Sequence, residues 1–297
     1  MKITAAVVKG LRDKTGAGMM DCKKALVESD GDVEVAVDWL RSRGVAVAAK
    51  KAGRAASDGL VAVAVADGKA AIVEINSETD FVARSEGFQA AVRVFATVAL
   101  DSGSSRVSLL AAAYPSADGT VADALAELVG KVGENVRLGR VATLSAGEGV
   151  IATYVHSALS PGLGRIGVLV ALESAGDTAK LAAFGKQLAM HIAAARPEAL
   201  TSEDVAPETL ARERAVLTEQ ARASGKPENI VEKMVEGRLR KFFEDVVLLD
   251  QVYVIDGKIR VSEAVEQAAR DIGEPIRITG FVRFAIGEAA ADGEPAG

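Results

Sequence analysis

The apolar positions of this chain follow two periods, and the change from one to the other divides it. Near the start they recur every three to four residues. Val7, Val8 and Leu11 share one side of a first segment, Met20, Ala25 and Leu26 of a second, and Val33, Ala36, Val37 and Leu40 of a third. That spacing predicts three amphipathic helices, because residues three and four apart stack on one helical face. Thr4 and Asp32 are placed to cap the first and third, since a short oxygen side chain accepts from the free N–H groups of a first turn. Gly16, Asp30-Gly31 and Gly44 are expected to close them in turn. Residues 45–58 are Ala-rich, with Lys50, Lys51 and Arg54. They read as a solvated linker helix, with phosphate binding as the alternative.

From Gly59 the period falls to two. Residues 60–65, then Asp67-Gly68, then 70–75 predict a β-hairpin with a tight turn. A helix follows over about 85–100 through Gln89, Val92, Phe95 and Val98, then another over about 121–130, then a strand over 135–142. The plan recurs. Residues 149–156 and 165–172 predict a second hairpin, and Asp177 opens a helix with Leu181, Phe184, Leu188 and Ile192. Phe88 and Phe184 occupy equivalent places 96 positions apart, and Gly133-Glu134-Asn135-Val136-Arg137-Leu138 matches Gly273-Glu274-Pro275-Ile276-Arg277-Ile278 at a spacing of 140. Two copies of one hairpin–helix–strand unit are inferred. The second copy is longer. Residues 207–223 and 230–247 predict an antiparallel helical hairpin about Ser224-Gly225-Lys226-Pro227, either projecting from the core or lying flat on it.

The expected class is therefore α+β. Residues 1–53 form a three-helix domain, 54–146 a first core subdomain, and 147–200 with 249–288 a second. Residues 201–248 form the inserted hairpin, and 289–297 a flexible tail of Ala, Gly and acidic residues.

Composition narrows the function. Only 4% of residues are aromatic, so Ala, Val and Leu must fill the cores. A formal charge of −6 argues against direct nucleic-acid binding, which needs a basic face. Cys22 is the one cysteine, which leaves no internal disulfide and suits a reducing compartment. Met1-Lys2-Ile3-Thr4 does not read as a signal peptide, and no uncharged apolar run is long enough for a membrane span. A soluble, cytoplasmic protein is expected.

Little catalytic chemistry is legible. Gly162-Leu163-Gly164-Arg165-Ile166-Gly167 fits the dinucleotide fingerprint, but a strand-like run follows where the fingerprint needs a helix. It reads as a glycine-rich hairpin turn. His156 and His191 are the only histidines, so no metal spacing arises, and no catalytic residue or cofactor is assigned. Two stretches invite contact instead. Met19 and Met20 are adjacent, and two adjacent helical residues cannot both face a core. At least one is exposed, or both are half-buried under the turn before them. Asn76-Ser77-Glu78-Thr79-Asp80-Phe81-Val82-Ala83 joins a strand to a helix, with Thr79 or Asp80 as its cap. Phe81 at that corner is either a core residue or a rigid wedge displayed to another protein.

Thr15-Gly16-Ala17-Gly18-Met19-Met20-Asp21-Cys22-Lys23-Lys24-Ala25-Leu26 and Glu78-Thr79-Asp80-Phe81-Val82-Ala83 resemble the two signature stretches of the bacterial elongation factor Ts family. Gly225-Lys226-Pro227 and Lys233-Met234-Val235-Glu236-Gly237-Arg238 are similar to that family too, as is the order of the parts. The resemblance implies a guanine-nucleotide exchange factor, not an enzyme, acting on elongation factor Tu in its GDP-bound or nucleotide-free form. It implies a ubiquitin-associated-like head that docks through Arg12, Gly16, Gly18, Met19 and Met20. It assigns exchange to Thr79, Asp80, Phe81 and Val82, with the aromatic entering between partner helices and the Mg²⁺ and phosphate sites disturbed. Tyr154 and His156 are implied as secondary contacts. Two features depart from the family pattern: Ser77 stands where a cysteine is expected, and the turn over 157–164 is long. The hairpin is expected to self-associate, to touch the partner, or to do neither. A helical peptide-binding module without exchange activity is the competing reading, and an oxidoreductase using the 162–167 turn a further one.

Overall fold

The computed structural model describes residues 3–115 and 119–288, so the tail expected at 289–297 lies outside the described residues. The head is α1 (Ala5–Thr15), α2 (Met19–Glu28) and α3 (Val33–Lys51). Its caps are those expected. Thr4 Oγ1 accepts from the Val7 N–H at 3.4 Å, and Asp32 Oδ1 from the Glu34 and Val35 N–H groups at 2.9 and 3.1 Å. Val8, Leu11, Cys22, Ala25, Leu26 and Ala36 enclose a small core.

The first half of the remainder is β1 (Asp58–Ala66), β2 (Lys69–Ser77), α4 (Asp80–Arg84), α5 (Glu86–Ser102), α6 (Arg106–Ala111), α7 (Val121–Val132) and β3 (Arg137–Ser145). Three expectations need correction here. The helix expected over 85–100 has a separate short helix, α4, before it, and α6 was not foreseen. The third helix does not stop at Gly44. It runs on to Lys51, and Gly44 is buried where α7 crosses it: a Cβ added to Gly130 would come within 3.2 Å of the Gly44 Cα. The glycine permits a close helix crossing rather than a stop. Val47 and Ala48 pack on the first-half core, so this stretch is not a solvated linker.

The second half is β4 (Gly149–His156), β5 (Leu163–Gly164), β6 (Ile166–Glu173), α8 (Thr178–Ala195), α9 (Pro207–Arg222), α10 (Glu228–Val246), α11 (Val261–Ile272) and β7 (Arg277–Ala285). Its sheet order, β4-β6-β7, repeats β1-β2-β3. Both sheets are antiparallel, and both slip register by one residue on the third strand, between Val73 and Ile75 and between Ala171 and Leu172. Phe88 and Phe184 are buried on the two matching helices. The inferred duplication and the α+β class are the observed architecture.

The two sheets pack face to face. Val61, Ala70, Ile72, Leu169 and Phe284 fill the layer between them. Leu60, Val73 and Ile75 point the other way, onto Phe88, Val92 and Phe95 of α5, and α8 covers the second sheet with Leu181, Phe184 and Leu188. The central strands β2 and β6 are covered on both faces, so they read as apolar runs rather than clean alternations. One charged pair lies in this interior. Glu74 Oε2 accepts from Arg140 Nε at 2.5 Å and Oε1 from Asn76 Nδ2 at 2.7 Å, while the guanidinium sits 4.6 Å above the Phe284 ring. Pairing is what makes such burial tolerable.

Helices α9 and α10 close on each other through Leu217, Ala221, Val231, Val235 and Leu239, a cluster separate from the sheet cores. Their base is tied to α8 through buried His191. Its Nε2 lies 2.9 Å from Gln251 Oε1, and its Nδ1 accepts from the Val254 N–H at 3.2 Å. Gln251 Nε2 in turn donates to Asp245 O at 2.7 Å, at the end of α10. Burial lowers the His191 pKa, against the Gln251 bond that raises it. A protonated ring would set a second donor at Nδ1 against an N–H. With the folded pKa below the unfolded value of about 6.5, this site's contribution is intact above that pH and lost as pH falls toward the folded pKa. Thermal unfolding followed by circular dichroism is expected to give a Tm that falls as pH drops below about 6.5, with a flatter slope in His191→Gln. Equal slopes would remove His191 from the account.

Among the described residues, no helix is long and apolar enough to cross a membrane. No group of three His, Cys, Asp or Glu side chains there could hold a metal.

Candidate functional site

Strand β2 delivers the chain to the corner at Ser77, whose buried hydroxyl donates to Thr79 O at 2.9 Å. Thr79 then adopts an extended conformation, φ −131° and ψ 159°, at the cap position of α4. The expected side-chain cap is not made. Thr79 Oγ1 donates to Glu134 Oε1 at 2.7 Å and its N–H to Glu134 Oε2 at 3.0 Å, so one carboxylate takes both groups. Asp80 does not cap either: it is the first residue of α4, and its carboxylate lies 3.2 Å from Arg84 Nε. An acidic residue there still opposes the positive end of the helix favourably.

The other side of the corner is held as firmly. Glu78 Oε1 accepts from the Asn135 N–H at 2.6 Å and stands 3.6 Å from Arg54, while Asn135 Nδ2 donates to Arg54 O at 2.6 Å. The loop after α7 thus clasps residues 78–79. Glu134 and Asn135 were not foreseen in this role. Their signal in the sequence was the Gly-Glu step shared with Gly273-Glu274, which marked the repeat but not the corner.

With the backbone so fixed, Val82 and Ala83 turn into the core and Phe81 turns out, 81% exposed. The core reading of Phe81 is overturned. An exposed ring forgoes about 1.5–3 kcal/mol of burial, which contact with another surface can recover. Helix α4 closes after one turn, where the Ser85 N–H and hydroxyl both donate to Val82 O, at 3.0 and 2.8 Å.

The head displays a second apolar set. Gly16 ends α1 in the left-handed region at φ 67°, with its N–H donating to Arg12 O at 2.7 Å, and Gly18 starts α2. Met19 is 45% and Met20 75% exposed, so neither serves the core, and Arg12 is exposed in the last turn of α1. Cys22 supports the turn from below, its thiol 3.7 Å from Ala17 O. A groove of about 610 Å³ runs beside the crossing of α3 and α7, where Arg41 Nη2 lies 3.5 Å from Asp123 Oδ2.

Tyr154 and His156 share one face of β4. The Tyr154 hydroxyl lies 3.1 Å from His156 Nδ1, with the tyrosine half-buried and the histidine exposed. The structure thus places Thr79, Asp80, Phe81 and Val82 at one corner, Arg12 in the last turn of α1 with Gly16, Gly18, Met19 and Met20 at the junction to α2, and Tyr154 and His156 together on β4. Gly162 to Gly167 lead into strand β6, not into a helix, so the phosphate-binding form of that fingerprint is absent. What the corner and the head offer chemically is rigid or adaptable apolar contact.

A family model described as Elongation factor TS matches residues 78–288. Elongation factor Ts of Rhodospirillum centenum is 58% identical over 287 residues, covering 97% of this chain and 94% of that protein. Elongation factor Ts of Rhodospirillum rubrum is 55% identical over 288 residues, covering 97% and 93%. Elongation factor Ts of Bartonella quintana is 55% identical over 288 residues, covering 97% and 94%.

Proposed function

The chain belongs to the elongation factor Ts family, a family of translation elongation factors, and from that premise we propose that it binds elongation factor Tu in the cytoplasm and promotes release of its GDP. It acts by contact and makes or breaks no covalent bond. GDP in a P-loop GTPase is held by backbone amides at a helix N-terminus and by Mg²⁺. An exchange factor has only to bind the nucleotide-free conformation better than the GDP-bound one, and each ligand then weakens the other by the same factor. A coupling of about 3 kcal/mol corresponds to roughly 150-fold in affinity.

The observation that carries this reading is Phe81: a large apolar ring, 81% exposed, on a corner pinned by Glu134, Ser77 and Asn135. An aromatic held this way inserts with little rotamer entropy to lose. In this reading Asp80 and Phe81 disturb the Mg²⁺ and phosphate sites of the GTPase, while Thr79, bonded to Glu134, and Val82, packed in the core, hold the corner that presents them. Arg12, Gly16, Gly18, Met19 and Met20 dock the head, residues 1–53, on its nucleotide-binding domain. Tyr154 and His156 meet a further partner domain from the second core subdomain. Release of a fluorescent GDP from elongation factor Tu, followed with and without this protein, tests it. The expected result is a release rate that climbs with protein concentration and saturates. Binding without acceleration would leave a contact module and remove the exchange role.

A further inference from the structure

The connection from β4 to β6 is longer than two antiparallel neighbours need. Its extra length reaches into the other half of the molecule. Ser157, at φ 52°, turns the chain out of the second sheet. Leu163-Gly164 then pairs antiparallel with Val61-Ala62 as a fourth strand of the first sheet, and the Val63 N–H donates to Gly162 O at 2.9 Å. Leu163 is fully buried in the core beneath α5. Two backbone bonds between Leu159, Ser160 and Leu163, both 3.0 Å, close the tip.

That tip presents Ser160 to α5. Arg93 Nη2 donates to Ser160 Oγ at 2.5 Å, and Ser160 Oγ donates to Gln89 Oε1 at 3.0 Å. Gln89 Nε2 donates to Arg84 O at 3.1 Å. The Arg84 carbonyl only accepts, so the Gln89 amide nitrogen faces it and Gln89 Oε1 faces Ser160, taking the serine proton while the serine oxygen accepts from Arg93. Arg84 is the last residue of α4, the five-residue helix that carries Phe81. So short a helix has no internal partners for its last carbonyls and cannot hold its own direction. Glu134 fixes its start, and this chain of bonds fixes its end.

We propose that Ser160 is a positioning residue for nucleotide exchange: through Gln89 it sets the angle at which α4 presents Phe81. The proposal rests on the exchange reading above. It also ties the Tyr154 and His156 end of the second half to the Phe81 corner, because the strap begins at Ser157.

The test compares maximal stimulated release of fluorescent GDP from elongation factor Tu, the half-saturating concentration, and the Tm of each variant. Ser160→Ala is expected to lower the maximal rate roughly three- to ten-fold, the scale of one or two hydrogen bonds, with half-saturation and Tm little changed. Ser160→Thr keeps the hydroxyl and restores the rate. Gln89→Met breaks the same link from α5 and reproduces the loss, which covers any folding defect in Ser160→Ala. In a Phe81→Ala background Ser160→Ala costs nothing further, because its effect passes through the ring. An unchanged rate in both Ser160→Ala and Gln89→Met, or a loss that multiplies with that of Phe81→Ala, overturns the brace while slow exchange by Phe81→Ala keeps the wedge. Full exchange by Phe81→Ala removes both.

Discussion

Phe81→Ala is expected to slow stimulated GDP release from elongation factor Tu by about a hundredfold while the Tm of this protein stays where it was. The two halves of that expectation have separate grounds. The ring is 81% exposed and packs in none of the apolar clusters, so its loss opens no cavity. Surface substitutions of that kind stay within about ±0.5 kcal/mol. The exchange effect is sized from the other side. Truncating a central aromatic in an interface costs about 2–4 kcal/mol, and two decades of rate correspond to about 2.7 kcal/mol. Stopped-flow release and a thermal melt on the same preparation give both numbers. A rate within twofold of the parent would end the wedge account. A Tm lowered by many degrees would mean that the ring supports its own fold instead.

The parts of this molecule that were legible in the sequence are those governed by near neighbours. Thr4 and Asp32 cap the helices they precede because the bond spans two or three residues. The Asp67-Gly68 turn was readable because both residues take positive φ, 48° and 72°, which the tight turn between twisted strands requires. The duplication was readable because the same Gly-Glu step precedes β3 and β7. What was missed depends on residues far apart in the chain. Gly44 has the look of a helix end until Gly130 is seen crossing it. Thr79 has the look of a cap until Glu134, 55 positions away, takes both its donors. The strap over 157–164 has the look of a loop until Leu163 is seen in the other half's core. Phe81 is the sharpest case. A phenylalanine at a helix start is compatible with either face, and only the clasp by the loop after α7 decides which way it turns.

Gly59→Ala is expected to lower stability by about 3 kcal/mol or more, which for a chain of this size is a Tm lower by roughly 10 °C. Gly59 sits at φ 130°, a conformation open to glycine and strained for any L side chain. A Cβ there would stand 2.1 Å from Ile75 O and 2.7 Å from Asn76 Cα. Those are backbone atoms of the paired strand, so relief requires the β1–β2 ladder to open at its end. That end is where Gly59 pairs with Asn76 and Asp58 with Ser77, immediately before the corner. The duplication supplies the control. Gly149 holds the matching place on β4, opposite Glu173, and its Cβ would stand 2.0 Å from Leu172 O. Both substitutions should therefore destabilise. Only Gly59→Ala should also slow exchange at a temperature where both variants remain folded, because only the first sheet leads into Thr79 and Phe81. Equal exchange by the two variants under those conditions would show that the end of β2 does not set the corner.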